Sequence, residues 1–181
     1  MEEILNKDQR MFLLDLARRT IEFYLERGKP LKEKSGDPLL LEKRGAFVTL
    51  KVDNELRGCI GYPLPHKSLI ETVIDCAIAA ASQDFRFPSI KKEELSRLNI
   101  EISVLTLPRK IKDVSEIQVG EHGIILSKGA NKGLLLPQVP VEWGWDLETY
   151  LNHGCLKAGL PEDEWKKGAT IEIFSAQVFC E

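Results

Sequence analysis

Two short runs of alternating apolar residues, Ala46 to Val52 and Leu56 to Gly61, are separated by a polar turn at Asp53 and Asn54. A two-residue period puts Ala46, Val48, Leu50 and Val52 on one face, and so short a turn joins only antiparallel neighbours. This hairpin constrains the fold most, because its apolar face has to be covered. A candidate cover follows at once. Ser68 and Glu71 make a capping box, and Ile70, Val73, Ile74, Ala77 and Ala81 recur at helical spacing. Cys76, Ile78 and Ala80 carry apolarity almost round that helix, which marks it as central. A three-residue loop, Asp53-Asn54-Glu55, pairs Val52 with Leu56 and Val48 with Ile60 and gathers the large aliphatics on one side. Arg57 and Cys59 then share the other face, and Gly58 and Gly61 strip away side chains that would cover the backbone from a ligand.

The flanking segments supply further helices and strands. Asn6 and Gln9 open a helix carried by Leu13, Leu16, Ala17, Ile21, Tyr24 and Leu25 and ended by Gly28 and Pro30, whereas Leu31 to Gly45 reads as a loop. A short charged helix, Lys91 to Leu98, precedes a strand, Ile100 to Leu107. Pro108 to Gly120 reads as an excursion, and Ile124 to Ser127 with Leu134 to Leu136 bracket a Gly-rich hairpin turn. Asp146 caps a helix to about Gly159, and Thr170 to Cys180 alternates as a final strand. Hairpins without regular strand-helix-strand repetition predict an α+β fold, a largely antiparallel sheet with packed helices. One domain over 1–181 is expected, with a larger subdomain from about 1–107 plus 134–181 and a smaller one at about 108–133.

With 181 residues, 43% hydrophobic and 29% charged, the chain has enough apolar side chains for a core and is neither disordered nor collagen-like. Asp and Glu number 28 against 25 Lys and Arg, which argues against direct nucleic-acid binding. MEEILNKDQR lacks the basic flank and apolar core of a signal peptide, and the small apolar stretch Cys76 to Ala81 is far short of the roughly 18 residues of a spanning helix. A cytoplasmic protein with no membrane association is expected. The four cysteines are scattered singly, so reduced thiols are the default. High Lys and Glu with only two Met follow the trend of heat-adapted proteins.

Three places could carry chemistry. A guanidinium and exposed backbone N–H groups beside Cys59 favour the thiolate, the nucleophilic form, and suit an anion; the other reading of Cys59 is a small apolar filler. Asp84 and Arg86, in Asp84-Phe85-Arg86-Phe87-Pro88, either position a polar substrate or form an ion pair that pins the loop. His122, before Gly123, is the candidate base for Cys59, or else a surface or hydrogen-bonded histidine. His66 lies in a Pro-bounded loop, and His153 and Cys155 diverge on a helix. Trp143 and Trp145, after Leu136-Pro137-Gln138-Val139, form either a binding rim or a core closure. No metal-ligand spacing, dinucleotide fingerprint or phosphate loop is present, so neither a metal nor a cofactor is expected.

The motif Leu56-Arg57-Gly58-Cys59-Ile60-Gly61 (LRGCIG) follows Ala46-Phe47-Val48-Thr49-Leu50. After it come Asp84-Phe85-Arg86-Phe87-Pro88, Ile102-Ser103-Val104-Leu105, His122-Gly123-Ile124, Leu136-Pro137-Gln138-Val139 and Lys157-Ala158-Gly159-Leu160. In this order they resemble the Ammecr-one domain, named for a human chromosomal region linked to Alport syndrome, midface hypoplasia and elliptocytosis. The resemblance covers nearly the whole chain and implies a larger and a smaller subdomain with LRGCIG near a cleft between them. It also implies occurrence in archaea, bacteria and eukaryotes, and a link with Memo-type dioxygenase-like proteins and radical S-adenosylmethionine enzymes. No reaction is established for the family, although a basic role in replication, repair, transcription or translation has been proposed. The expected function is cysteine-dependent chemistry on a small anionic substrate. Cys59 serves as nucleophile and His122 as base, with Arg57, Gly58, Gly61, Asp84, Arg86 and Gln138 at the ligand. The alternative is a non-catalytic binding or adaptor module for a small anion or a protein partner, the Memo-type or radical S-adenosylmethionine protein.

Overall fold

The computed structural model describes residues 4–181. Asn6 caps helix α1 (Lys7–Arg27) through the expected reciprocal bonds with Gln9, and Gly28 ends it at a φ of 65°. A single turn, α2 (Pro38–Leu41), interrupts the expected loop; Asp37 caps it, and proline at the first position needs no N–H partner there. Strands β1 (Ala46–Val52) and β2 (Glu55–Tyr62) form the hairpin, and α3 (Leu69–Ser82) starts at the Ser68–Glu71 capping box. A 3-10 turn, Lys92–Arg97, leads into β3 (Leu98–Leu105). Beyond it lie β4 (Arg109–Lys110), the hairpin β5 (Gly123–Lys128) and β6 (Asn131–Leu135), and helices α4 (Gln138–Trp143) and α5 (Leu147–Lys157). The chain ends with β7 (Thr170–Phe174) and β8 (Ala176–Cys180).

The chain folds as two compact units. The first holds residues 4–105 and 177–181 and contains a four-stranded sheet in the order β2-β1-β3-β8, in which β1 pairs antiparallel with both β2 and β3. The alternation seen in the sequence fixes its inner face: Ala46, Val48 and Leu50 lie beside Ile100, Ile102 and Val104, all fully buried. Against them pack Leu13, Leu16, Ala17 and Ile21 of α1 and Leu69, Val73 and Ala77 of α3. Each large aliphatic so buried is worth about 1.5–3 kcal/mol. The Gln177 carboxamide accepts from the N–H groups of Ile4 (3.1 Å) and Leu5 (2.7 Å) and donates to the Leu5 carbonyl (3.0 Å), fixing the start of the described chain to β8.

The second unit is Thr106–Ala176, with an antiparallel sheet in the order β4-β7-β5-β6. Ile124, Leu126, Ile171 and Ile173 bury one face against Tyr150, Leu151 and Cys155 of α5. Two glycines permit that contact: a Cβ on Gly133 would sit 2.3 Å from the Ala158 backbone nitrogen, and one on Gly154 would sit 2.5 Å from the Leu126 side chain. The unit therefore runs well past the 108–133 stretch expected to be separate, because the hairpin cannot bury its apolar face without α5 and β7. The final alternating run is also two strands, not one. Thr106 breaks it at Ser175, donating its N–H to the Ser175 carbonyl (2.9 Å) and accepting the Ser175 N–H on Oγ1 (2.9 Å).

Candidate functional site

The hairpin turn is tighter than the expected three-residue loop. Asp53 and Asn54 alone make it, both at positive φ (52° and 66°), and Val52 pairs with Glu55. The pairing of Val48 with Ile60 is as expected, and the two are reconciled by a β-bulge: Lys51 lies opposite Leu56 and Leu50 opposite Gly58, so Arg57 is the extra residue. The expected pairing of Val52 with Leu56 is thereby lost, and Leu56 sits on the exposed side of the strand. The shared face of Arg57 and Cys59 no longer follows from a regular two-residue count.

β2 is an edge strand, and an open edge leaves backbone donors and acceptors without partners. Here the segment Asp84–Pro88 closes it. Asp84 Oδ2 accepts the Cys59 N–H at 2.9 Å, and Arg86 Nη2 donates to the Cys59 carbonyl at 3.1 Å. Asp84 and Arg86 are themselves paired, Nε to Oδ1 at 2.9 Å and Nη2 to Oδ2 at 2.7 Å. In return Arg57 Nη1 donates to the Pro88 carbonyl (3.0 Å), while its Nε and Nη2 grip Glu94 at 2.9 and 3.2 Å. Strand and loop thus exchange arginines, and each arginine carries its own carboxylate. The Arg86 hydrogen bonds hold the Asp84 carboxyl well below the usual carboxylate range, and the Arg57 hydrogen bonds lower that of Glu94.

Around this lock, the candidates divide. The Cys59 thiol is half-buried and accepts the Thr49 hydroxyl proton, Oγ1 to Sγ at 3.2 Å. Its backbone N–H, expected to stabilise an anion, is taken by Asp84. Gly58 and Gly61 make room for neighbours of the fold: a Cβ on Gly58 would lie 2.1 Å from the Ala80 carbonyl oxygen of α3, and one on Gly61 would lie 2.2 Å from the Phe47 ring. Asp84 is only 4% exposed, yet Phe85, the next residue, is 96% exposed. The Arg86 guanidinium lies over the Phe87 ring, 5.4 Å from its centroid.

His122 and Gln138 belong to the second unit. His122 Nδ1 accepts the Gln118 N–H at 3.1 Å, and Gln138 is exposed at the start of α4. Of the two tryptophans, Trp143 is exposed, whereas Trp145 is half-buried and stacks on His153, with centroids 3.9 Å apart and planes 4° from parallel. Among the described residues no group of His, Cys, Asp and Glu is arranged to hold a metal ion, and no helix is long and apolar enough to cross a membrane.

The sequence model of the AMMECR1 family matches residues 14–179. This chain belongs to the AMMECR1 family. It is 50% identical to a protein of Methanopyrus kandleri, with 99% of this chain and 91% of that one aligned. It is 46% identical to one from Methanocaldococcus jannaschii, over 97% and 92% of the two chains. The crystal structure of an uncharacterized protein from Pyrococcus horikoshii superposes with a TM-score of 0.81 at 45% identity, over 99% of this chain and 94% of that one. The AMMECR1 resemblance thus holds over the full fold, α+β with antiparallel sheets, while these relatives bring no reaction with them.

Sequence reasoning overlooked three members of the site. Glu94 shows one signal, its place three residues after Lys91, whose N–H it accepts at 2.8 Å. Thr49 has none, because its contact with Cys59 depends on cross-strand register. Phe85 has none either, since nothing local in the sequence says that this aromatic, next to the buried Asp84, stays exposed.

Proposed function

We propose that this AMMECR1 protein is a recognition module, and that its contact surface is the Asp84–Pro88 loop clamped to the edge of β2. The observation that carries this reading is Phe85, 96% exposed between two residues locked by the Asp84–Arg86 pair. An aromatic side chain held in water by a rigid backbone pays little ordering entropy when it enters a partner's apolar pocket, and such residues dominate binding energy. Arg86, with its side chain 47% exposed, adds a guanidinium beside that anchor. The partner class is the Memo-type or radical S-adenosylmethionine protein that the resemblance implies.

A second reading, thiol chemistry at Cys59, draws support from the Thr49 hydroxyl directed at Sγ. Against it, the N–H expected to hold an anion is bound to Asp84, and three nitrogens of the Arg57 guanidinium are already engaged. Titrating the full chain with a Memo-type protein and with a radical S-adenosylmethionine protein separates the two. Recognition through the loop predicts that Phe85→Ala weakens binding by about 30-fold while Cys59→Ser binds as wild type. Loss of binding in Cys59→Ser with Phe85→Ala unaffected would reverse the order of the readings, and binding of neither protein by the wild-type chain would remove the first.

A further inference from the structure

Away from the β2 edge, the second unit contains a cleft of about 410 Å³ lined by β4, the turn before β5 and the end of β7. That is within the range of small-molecule sites. Buried Ile173 and Phe174 give it an apolar side, and Arg109, Gln118, Glu121 and His122 give it a polar one.

The turn carrying three of those polar residues is built rigidly. The Gln118 carbonyl accepts the N–H groups of Glu121 (3.1 Å) and His122 (2.9 Å), and Gly120 supplies the φ of 90° that the turn needs. From beneath, the buried Tyr150 hydroxyl lies 3.2 Å from the His122 carbonyl. Because His122 Nδ1 accepts the Gln118 N–H, the neutral ring carries its proton on Nε2, which is left to donate.

Two opposite charges retain capacity. Glu121 has no ion pair or side-chain hydrogen bond among the described residues, and Arg109 uses only Nη1, on Glu116 at 2.7 Å. A simple anion entering this cleft would meet the Glu121 carboxylate, and a simple cation would meet the free side of Arg109. A molecule bearing both charges meets neither penalty.

We infer that the cleft binds a small zwitterion of the α-amino-acid class. Glu121 takes the ammonium, Arg109 and His122 Nε2–H take the carboxylate, and Ile173 with Phe174 receives an apolar side chain. Nothing in this assignment depends on the Phe85 surface, so either proposal can fail without the other.

The test is an NMR titration of the full chain with leucine, 3-methylbutylamine and 4-methylpentanoate, which differ in the charges they carry. Leucine, or another of the twenty free amino acids, shifts the Glu121, His122 and Gly123 amide resonances saturably. The amine and the acid each bind at least about tenfold more weakly, since each leaves one charge of the cleft unmatched. Glu121→Gln, a change at an exposed position, weakens the amino acid about tenfold and tightens 4-methylpentanoate, which then no longer meets a carboxylate. No saturable shift with any free amino acid would overturn the inference. So would an analogue that binds as tightly as the amino acid, or a Glu121→Gln variant that binds it undiminished.

Discussion

At the scale of single residues, Asp84 decides most. Its carboxylate serves the Cys59 N–H, the Arg86 N–H (3.2 Å) and the Arg86 guanidinium at once, at a buried position. Hydrogen bonding to Arg86 lowers its pKa, outweighing the desolvation that would raise it. A carboxylate depressed in the folded state contributes stability that is present above its unfolded pKa, about 3.9, and is lost as pH falls toward the folded one. The chain should therefore lose stability through the acid range below about pH 4, and Asp84→Asn should do so on a shallower slope. At pH 7 that variant should be less stable by about 2–3 kcal/mol, because the amide cannot accept from three donors with a full charge. Urea unfolding of both proteins at several pH values checks this, and parallel acid slopes would show that Asp84 does not carry the linkage. Little of this was legible in the sequence. Asp84 and Arg86 could be read as an ion pair or as substrate contacts with equal justice, since nothing local says that the partner of the pair is the edge of a strand 25 residues away.

The element scale shows where sequence patterning is reliable and where it stops. Both long helices and their caps, the apolar faces of β1 and β3, and the two hairpins follow from periodicity and capping residues, which act over a few positions. The bulge at Arg57 and the break at Ser175 do not, because each goes with contacts to residues far along the chain, Glu94 and Pro88 for the first and Thr106 for the second. The glycines of LRGCIG illustrate the difference. Read along the strand, Gly58 and Gly61 bare the backbone to a ligand; in the fold they admit α3 and Phe47. This distinguishes their substitutions. Gly58→Ala drives a methyl against the Ala80 carbonyl oxygen, backbone in the last turn of α3 that can yield only if the helix end shifts, whereas Gly61→Ala meets a ring that can rotate or shift. Thermal unfolding should rank Gly58→Ala as the more destabilising, by about 3 kcal/mol or more against about 1–2 for Gly61→Ala. Equal losses would mean that β2 lifts from α3 as easily as Phe47 moves.

For the molecule as a whole, the decisive contact is the small one between Thr106 and Ser175. The chain enters the second unit at Thr106 and leaves it at Ala176, and the two passages are hydrogen-bonded side by side. The second unit is thus inserted at one point of the first, between neighbouring strands β3 and β8 of one sheet. Each unit also has its own buried cluster, centred on α1, α3 and β1 in the first and on α5, β5 and β7 in the second. The return from the second unit is not legible in the sequence, because alternation runs unbroken through Ser175. From this arrangement, residues 4–105 joined to 177–181 by a short glycine-containing turn in place of 106–176 should fold. The shortened chain keeps the β2-β1-β3-β8 sheet apart from Ala176, the Gln177 contact with Ile4 and Leu5, and the Asp84–Arg86 clamp. It should unfold in one cooperative transition and retain the Phe85-dependent binding proposed above. Circular dichroism through a urea gradient reads the first expectation, and partner titration reads the second. A chain without a cooperative transition would show that the first unit needs the second to hold its fold. A folded one that no longer binds would move the recognition surface off the Asp84–Pro88 loop and onto the residues removed.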